Sequence, residues 1–164
     1  MKTVHLIRHA KSSHDDPSLR DQDRPLSARG RRDAPVMGAR MHDAGLRFDV
    51  LYSSPATRAV ETATLLVAAM GGAEHQITVV DELYHADKHE LVAFLRQRPA
   101  NLTSIGLVLH NPTITSLANL LGDLEVENVP TCAICSISID VGRWADVGDP
   151  AGHTFRFDRP KDAL

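Results

Sequence analysis

Only two of the 164 residues are cysteine, too few for a disulfide framework, so a reducing cytoplasm is the expected compartment. No apolar run approaches the roughly 18 residues that a membrane span needs. Arg8 arrives before a signal-peptide apolar region can form, so no membrane partner is expected. Repeats, low-complexity tracts and Pro/Gly/Ser linkers are all missing, and residues 1–164 therefore read as one domain. Neither a Walker glycine loop nor a G-x-G-x-x-G turn is present, which leaves nucleotide cofactors without support. An excess of basic charge is lacking too: 18 Lys+Arg against 21 Asp+Glu give a net charge of −3. That balance excludes a general nucleic-acid binder. What remains is 43 % hydrophobic and 24 % charged, the composition of a single folded unit with a sizeable core.

The charge is unevenly spread. The first 60 residues hold 11 Lys+Arg against 7 Asp+Glu, whereas the remaining 104 hold 7 against 14. Fourteen of the 18 basic residues are arginine, whose planar fork suits bidentate binding of phosphate or carboxylate. Solvated helix faces would produce the same count, so composition permits an anion site in the N-terminal half without fixing one.

Along the chain, short β-rich runs alternate with helical patterns. Strands are expected over residues 3–8 (TVHLIR), 49–52 (DVLY), 77–80 and 105–110 (IGLVLH), with two closing strands over 133–140 and 153–157. Helices are expected from Ser27 to about Ala44, with Pro35 kinking or delaying it, and from Ser54-Pro55 to Gly71-Gly72. Two more should cover residues 88–98 and run from Asn111-Pro112 to Gly122. Ser54 and Asn111 each read as an N-cap followed by proline at the first helical position. The order β-α-β-α-β-α-β-α-β-β predicts an α/β fold, a mostly parallel central sheet with helices on both faces. Ligands of such sheets bind beyond the carboxyl ends of the strands.

Those ends carry the chemistry. Arg8-His9 follows the first strand, Ser53-Ser54-Pro55-Ala56-Thr57-Arg58 the second, and His110-Asn111-Pro112 the fourth. If these strands are central, two histidines and two arginines converge on one pocket, with two helix N-termini adding positive dipole ends. That set suits a phosphoryl group. A neutral histidine can attack phosphorus, arginine forks stabilise the equatorial oxygens, and a protonated second histidine does the same. The side chains supply the charge a metal would bring, so neither metal nor cofactor is expected.

At these residues the chain resembles the histidine phosphatase (phosphoglycerate mutase-like) superfamily. Leu6-Ile7-Arg8-His9-Ala10-Lys11-Ser12-Ser13 is similar to its "RHG" signature, in a spelling like that of the short SixA-type phosphohistidine phosphatases. Arg24-Pro25-Leu26-Ser27-Ala28-Arg29-Gly30 resembles the segment opening the first helix. Residues 53–63 resemble the second-arginine motif, and Val108-Leu109-His110-Asn111-Pro112 the second-histidine motif G-H-N-P. The resemblance spans about residues 3–140 and departs at Ala10 and Leu109, each standing where the family has glycine. It implies a three-layer sandwich without a large lid insertion and His9 as the nucleophile that becomes phosphorylated. It also implies a phosphate pocket completed by Arg8, Arg58 and His110, with Arg24 and Asn111 beside it as further substrate-binding residues. Many relatives place a carboxylate after the third strand, which makes Glu82 the expected acid for an ester leaving group.

Two other patterns carry less. Cys132-Ala133-Ile134-Cys135 has C-x-x-C spacing, but in a strand its thiols face opposite sides and no second pair exists for zinc. His85, Asp87 and His89 lack H-E-x-x-H and a third ligand, and read as surface residues or as neighbours of the pocket mouth. The expected activity is a phosphatase working through a phosphohistidine intermediate on phosphohistidine in a signalling or carrier protein. A small phosphomonoester substrate is the alternative, for which Glu82→Gln would be the discriminating change. A non-catalytic phosphate-binding module is the reading from a different class.

Overall fold

The computed structural model describes residues 1–73 and 76–161; residues 74, 75 and 162–164 of the expected domain lie outside them. Six strands form one sheet: β1 (Lys2–Arg8), β2 (Val50–Ser53), β3 (Ile77–Val79), β4 (Ser104–Leu109), β5 (Ile134–Ile139) and β6 (His153–Asp158). Their order is β3-β2-β4-β1-β5-β6. The first four are parallel, while β5 runs against β1 and β6 against β5. Four helices connect them: α1 (Ala28–Asp43), α2 (Thr57–Ala69), α3 (Lys88–Arg96) and α4 (Thr113–Leu121).

Side-chain alternation along the strands sorts the core into two halves. Val4, Leu6, Leu107 and Leu109 face α3 and α4, where Leu91, Leu95, Leu117 and the fully buried Trp144 fill the layer. Ile7, Leu51, Val108 and Ile134 face α1 and α2 and pack on Met37, Met41, Ala63 and Leu66. The result is the expected three-layer α/β arrangement, with β2, β4 and β1 adjacent at the sheet centre. No helix among the described residues is long and apolar enough to cross a membrane.

Local signals act unequally. Ser27 caps α1 by accepting from the Gly30 amide, and the helix continues through Pro35 from Ala28 to Asp43 without the expected delay. Proline there removes one intrahelical bond, while Ala34, Met37 and Met41 keep the helix seated in the core. Gly30 is required for a different reason: a Cβ there would stand 2.2 Å from the Lys11 carbonyl oxygen, where α1 crosses the loop after β1. Asp87 and Glu90 form a reciprocal capping box at the start of α3.

The proline-led starts differ from expectation. α2 has Ala56 as its N-cap and α4 has Pro112, neither with a side-chain cap. Ser54 and Asn111 lie one position or more outside the helices, and their polar atoms bond elsewhere, as described below. A cap-plus-proline spelling is only a local preference, and here tertiary partners outbid it.

A buried ring on β1 contributes to the acid behaviour of the fold. His5 on β1 is 1 % exposed, packs edge-on against Phe48 at 5.2 Å and shares a 2.7 Å hydrogen bond with Ser136. Burial pushes its pKa from 6.5 down to about 4. Below pH 6.5 the unfolded chain therefore binds a proton that the folded chain refuses, so stability is full above that pH and declines towards pH 4. The decline expected from His5 alone is on the order of 3 kcal/mol. The urea midpoint should fall steadily from pH 6.5 to pH 4; a midpoint that holds across this window would mean that the ring is not kept neutral by the fold.

Candidate active site

Strand register brings the candidate residues together. Arg8 pairs with Leu109 across β1 and β4, and Ser53 with Val108 across β2 and β4. The pairing extends one step further, because the His9 amide donates to Leu109 (3.2 Å) and the Ser54 amide to Val108 (3.1 Å). His9, His110 and Ser54 therefore leave three adjacent strands at one level. The imidazole centres of His9 and His110 are 5.2 Å apart. Arg58 rises into the same crevice from the first turn of α2, with its guanidinium buried.

The backbone around His9 is tightly held. The Cys132 amide is shared between the carbonyls of Arg8 (3.0 Å) and His9 (3.1 Å), with Cys132 itself at φ 62°. Thr62 Oγ1 accepts from the Ala10 amide at 2.9 Å and donates to the Arg58 carbonyl at 2.7 Å, tying the loop after β1 to α2. His9 Nδ1 donates to the carbonyl of Ala10 at 2.7 Å, which assigns the proton to Nδ1 and the lone pair to Nε2. Burial pushes the His9 pKa from 6.5 to about 3, against the opposing pull of that hydrogen bond, and His110, Arg58 and Arg8 lower it further. A neutral imidazole with an open Nε2 can attack an electrophile.

Burial, then Arg58, bring the His110 pKa to about 4, so the fold favours the neutral ring over the expected protonated form. Its Nε2 meets Ser54 Oγ at 2.6 Å. Because Ser54 Oγ also accepts from the Ala56 amide at 3.3 Å, the hydroxyl is free to donate to Nε2 and leave the imidazole proton on Nδ1. The serine expected to cap a helix thus orients a ring.

Among the described residues, three buried nitrogens here have no partner: Arg8 Nε, Arg58 Nε and His110 Nδ1. Arg8 is otherwise fixed by Nη1 donating to Val129 at 3.1 Å. Unpaired buried donors carry a desolvation penalty and are rare, and three donors around His9 are the chemistry that an oxyanion would satisfy. Arg58 shows the same design: Nη1 donates to the Asp21 carbonyl (2.7 Å) and Nη2 to its carboxylate (3.0 Å), while Nε is buried without a partner among the described residues.

The remaining candidates lie further out. Arg24 reaches Ser12 Oγ at 3.0 Å and the Asp21 carboxylate at 3.2 Å, bracing the loop that carries Asp21 to Arg58. Asn111 donates to Asn128 (2.6 Å) and Val129 (3.3 Å) and accepts from Thr115 (2.6 Å), so its polar atoms hold the segment before β5. Glu82 is exposed and makes no hydrogen bond or ion pair among the described residues; it lines a groove with Tyr52, Val80, Phe94 and Arg98. It is not gathered with His9.

Two residues went unread in the sequence. Tyr84, two positions beyond Glu82, sets its ring 5.5 Å from that of His110 and donates its hydroxyl to Asp21. Asp21 accepts from Tyr84, Arg58 and Arg24, and these donors hold its carboxyl far below the usual carboxylate range. Its only sequence signal is its place three residues ahead of Arg24. His85 packs against Tyr84 at 4.4 Å, Asp87 caps α3 and His89 is exposed. Among the described residues no cluster of three His, Cys, Asp or Glu is arranged to hold a metal. Burial pushes the Cys132 thiol up to about 12 and Cys135 up to about 11, and the two sit in different halves of the core.

Comparison with known proteins agrees with this geometry. Residues 4–90 match the family model of the Histidine phosphatase superfamily (branch 1). An uncharacterised protein of Mycobacterium tuberculosis, Rv1276c, is 30 % identical over 151 residues, covering 86 % of this chain and 91 % of its own. A candidate SixA phosphohistidine phosphatase from Nakamurella multipartitia superposes with a TM-score of 0.81 at 26 % identity, covering 98 % of this chain and 97 % of its own. The protein histidine phosphatase SixA complexed with tungstate gives a TM-score of 0.81 at 21 % identity, over 96 % and 97 % of the two chains, and shares the fold.

Proposed function

This chain belongs to the histidine phosphatase superfamily, branch 1, and from that premise we propose that it is a metal-independent phosphatase that removes phosphoryl groups from phosphohistidine in a partner protein. The observation that carries the reading is the pairing of one open imidazole nitrogen, His9 Nε2, with three unpartnered buried donors on Arg8, Arg58 and His110.

A phosphoryl group seated there places its non-bridging oxygens against those donors, and His9 Nε2 attacks phosphorus in line. The N–P bond to His9 forms as the bond to the leaving group breaks. His110 takes up a proton more readily once the dianion faces it, because an adjacent negative charge favours the imidazolium. Water then attacks the phosphorylated His9, releasing inorganic phosphate and returning the ring to its neutral form. Arg8 and Arg58 carry the charge of both transfers, as guanidinium clamps do in phosphoryl-transfer sites.

The choice of phosphohistidine rests on the lack of an acid. Glu82 is turned to another groove, and Asp21 stays ionised. An alkoxide leaving group would need a proton from one of them, whereas imidazole departs without such help. A single domain over 1–164 with no large lid, which we also propose, leaves the crevice open to a side chain offered by another protein. Two buried free cysteines fit the cytoplasm as its compartment.

Phosphate release from a histidine protein phosphorylated with phosphoramidate, assayed with excess EDTA, tests the proposal. Release undiminished by EDTA is the expected result. No release, with p-nitrophenyl phosphate hydrolysed, would move the substrate class to small phosphomonoesters.

A further inference from the structure

Arg58 is held from its outer side by a carboxylate, and that arrangement bears on which leaving group the site accepts. Asp21 occupies the end of the guanidinium fork through two bonds, 2.7 Å to its carbonyl and 3.0 Å to Oδ2. The guanidinium Nε is buried and has no partner among the described residues. A phosphoryl oxygen accepting from Nε would leave both bonds to Asp21 in place. Tyr84 bridges the carboxylate to the His110 side of the crevice, with its hydroxyl on Asp21 and its ring against His110. Asp21 nevertheless keeps 60 % of its side chain exposed, so it stands on the solvent side of Arg58, linked through Tyr84 to the ring of His110.

Resting on the phosphohistidine reading above, we propose that Asp21 is a specificity-determining residue that selects substrates whose leaving group carries a proton and a positive charge, the protonated imidazole of phosphohistidine, over phosphate esters. In phosphohistidine one ring nitrogen is bonded to phosphorus and the other can hold a proton. The Asp21 carboxylate accepts a hydrogen bond from that distal N–H and so favours the protonated ring. When His9 Nε2 bonds to phosphorus, the electron pair of the breaking N–P bond returns to the departing nitrogen. The ring then leaves as neutral imidazole with its distal proton in place. No acid is consumed, which agrees with a site whose carboxylate is ionised and whose Glu82 faces elsewhere.

The same carboxylate acts against esters. An alkoxide or phenolate builds negative charge on its oxygen as it departs, and Asp21 repels that charge without supplying a proton. Simple positioning of Arg58 predicts something else: its loss would slow every phosphoryl transfer alike. The two roles separate in the ratio of activities.

The test compares kcat/KM for a phosphoramidate-phosphorylated histidine protein and for p-nitrophenyl phosphate, whose leaving group departs as an anion, in wild type and Asp21→Asn. Asparagine keeps an oxygen for Arg58 and the backbone carbonyl of residue 21, so the fork stays held while the charge is lost. The ratio of phosphohistidine to ester activity should fall by about tenfold or more, the size of a charge-assisted hydrogen bond. The alkaline limb of the phosphohistidine reaction should also move to lower pH in the variant, because the leaving ring loses its proton more easily. Tyr84→Phe, which retains the carboxylate, should leave the ratio within about threefold. Equal losses on both substrates, or a ratio that rises, would overturn the selectivity and reduce Asp21 to a support for Arg58. If wild type hydrolyses the ester but releases nothing from phosphohistidine, the functional reading itself fails, and that is visible before any variant is made.

Discussion

Replacing His9 with alanine should lower phosphate release by at least about a thousandfold while leaving phosphate binding within a few-fold. The ring contributes a nucleophile that nothing nearby replaces: His110 turns its Nε2 to Ser54 and stays tethered there. Binding should survive because the unpartnered donors proposed to hold the anion belong to Arg8, Arg58 and His110. None of their anchors runs through the His9 side chain; Arg8 is held by Val129, Arg58 by Asp21 and His110 by Ser54. Protein quenched in alkali during turnover should carry a phosphoryl group in wild type and none in the variant. Competition by inorganic phosphate against a reporter ligand reads the binding arm. Retention of more than about a tenth of the activity would remove His9 from the nucleophile's role.

Arg58→Ala is the second large effect, a loss of about a hundredfold to a thousandfold in kcat/KM, in line with removal of a preorganised charge donor from a transition state. Two things disappear with this side chain: the buried, unpartnered Nε donor and the anchor of Asp21, whose carbonyl and carboxylate both lie on the fork. Arg58→Lys is the sharper probe. An ammonium is a point charge that can face Asp21 or the phosphoryl group but cannot present two edges to both. The lysine variant should therefore remain down by at least about tenfold, and wild-type activity in it would show that the two-edged geometry has no role. A thermal melt of each variant separates loss of folding from loss of function.

Much of this was legible in the chain. Residues 3–8 and 105–110 announced themselves as buried strands by continuous apolar character, and β1 and β4 match them to within one residue at each end. Their sheet partners could not be read locally, since parallel pairing joins segments about a hundred residues apart, as Arg8 with Leu109. The caps misled for a related reason. Ser54 and Asn111 carry helix-starting spellings, yet a hydroxyl and an amide bond to whatever the fold brings within reach. For Ser54 that is His110, and for Asn111 it is Asn128 and Val129. Glu82 was placed after the correct strand, but a 3-10 turn over Asp81–Tyr84 rotates successive side chains to different sides. It sends Tyr84 to His110 and Glu82 to the groove lined by Tyr52 and Phe94.

The class of fold can be read from periodicity, and two histidines and two arginines at or just past strand ends from residue identity, both of which are local; the family is read from the resemblance of four motifs. Which nitrogen of His9 is open, the lowered pKa of His110, and the contacts of Asp21 and Tyr84 beside Arg58 and His110 come only from the tertiary structure. Each of these depends on burial and on partners distant in the chain: the Ala10 carbonyl sets a tautomer only once Thr62 and Cys132 hold the loop, and an imidazole loses its proton only once the fold has taken water away from it.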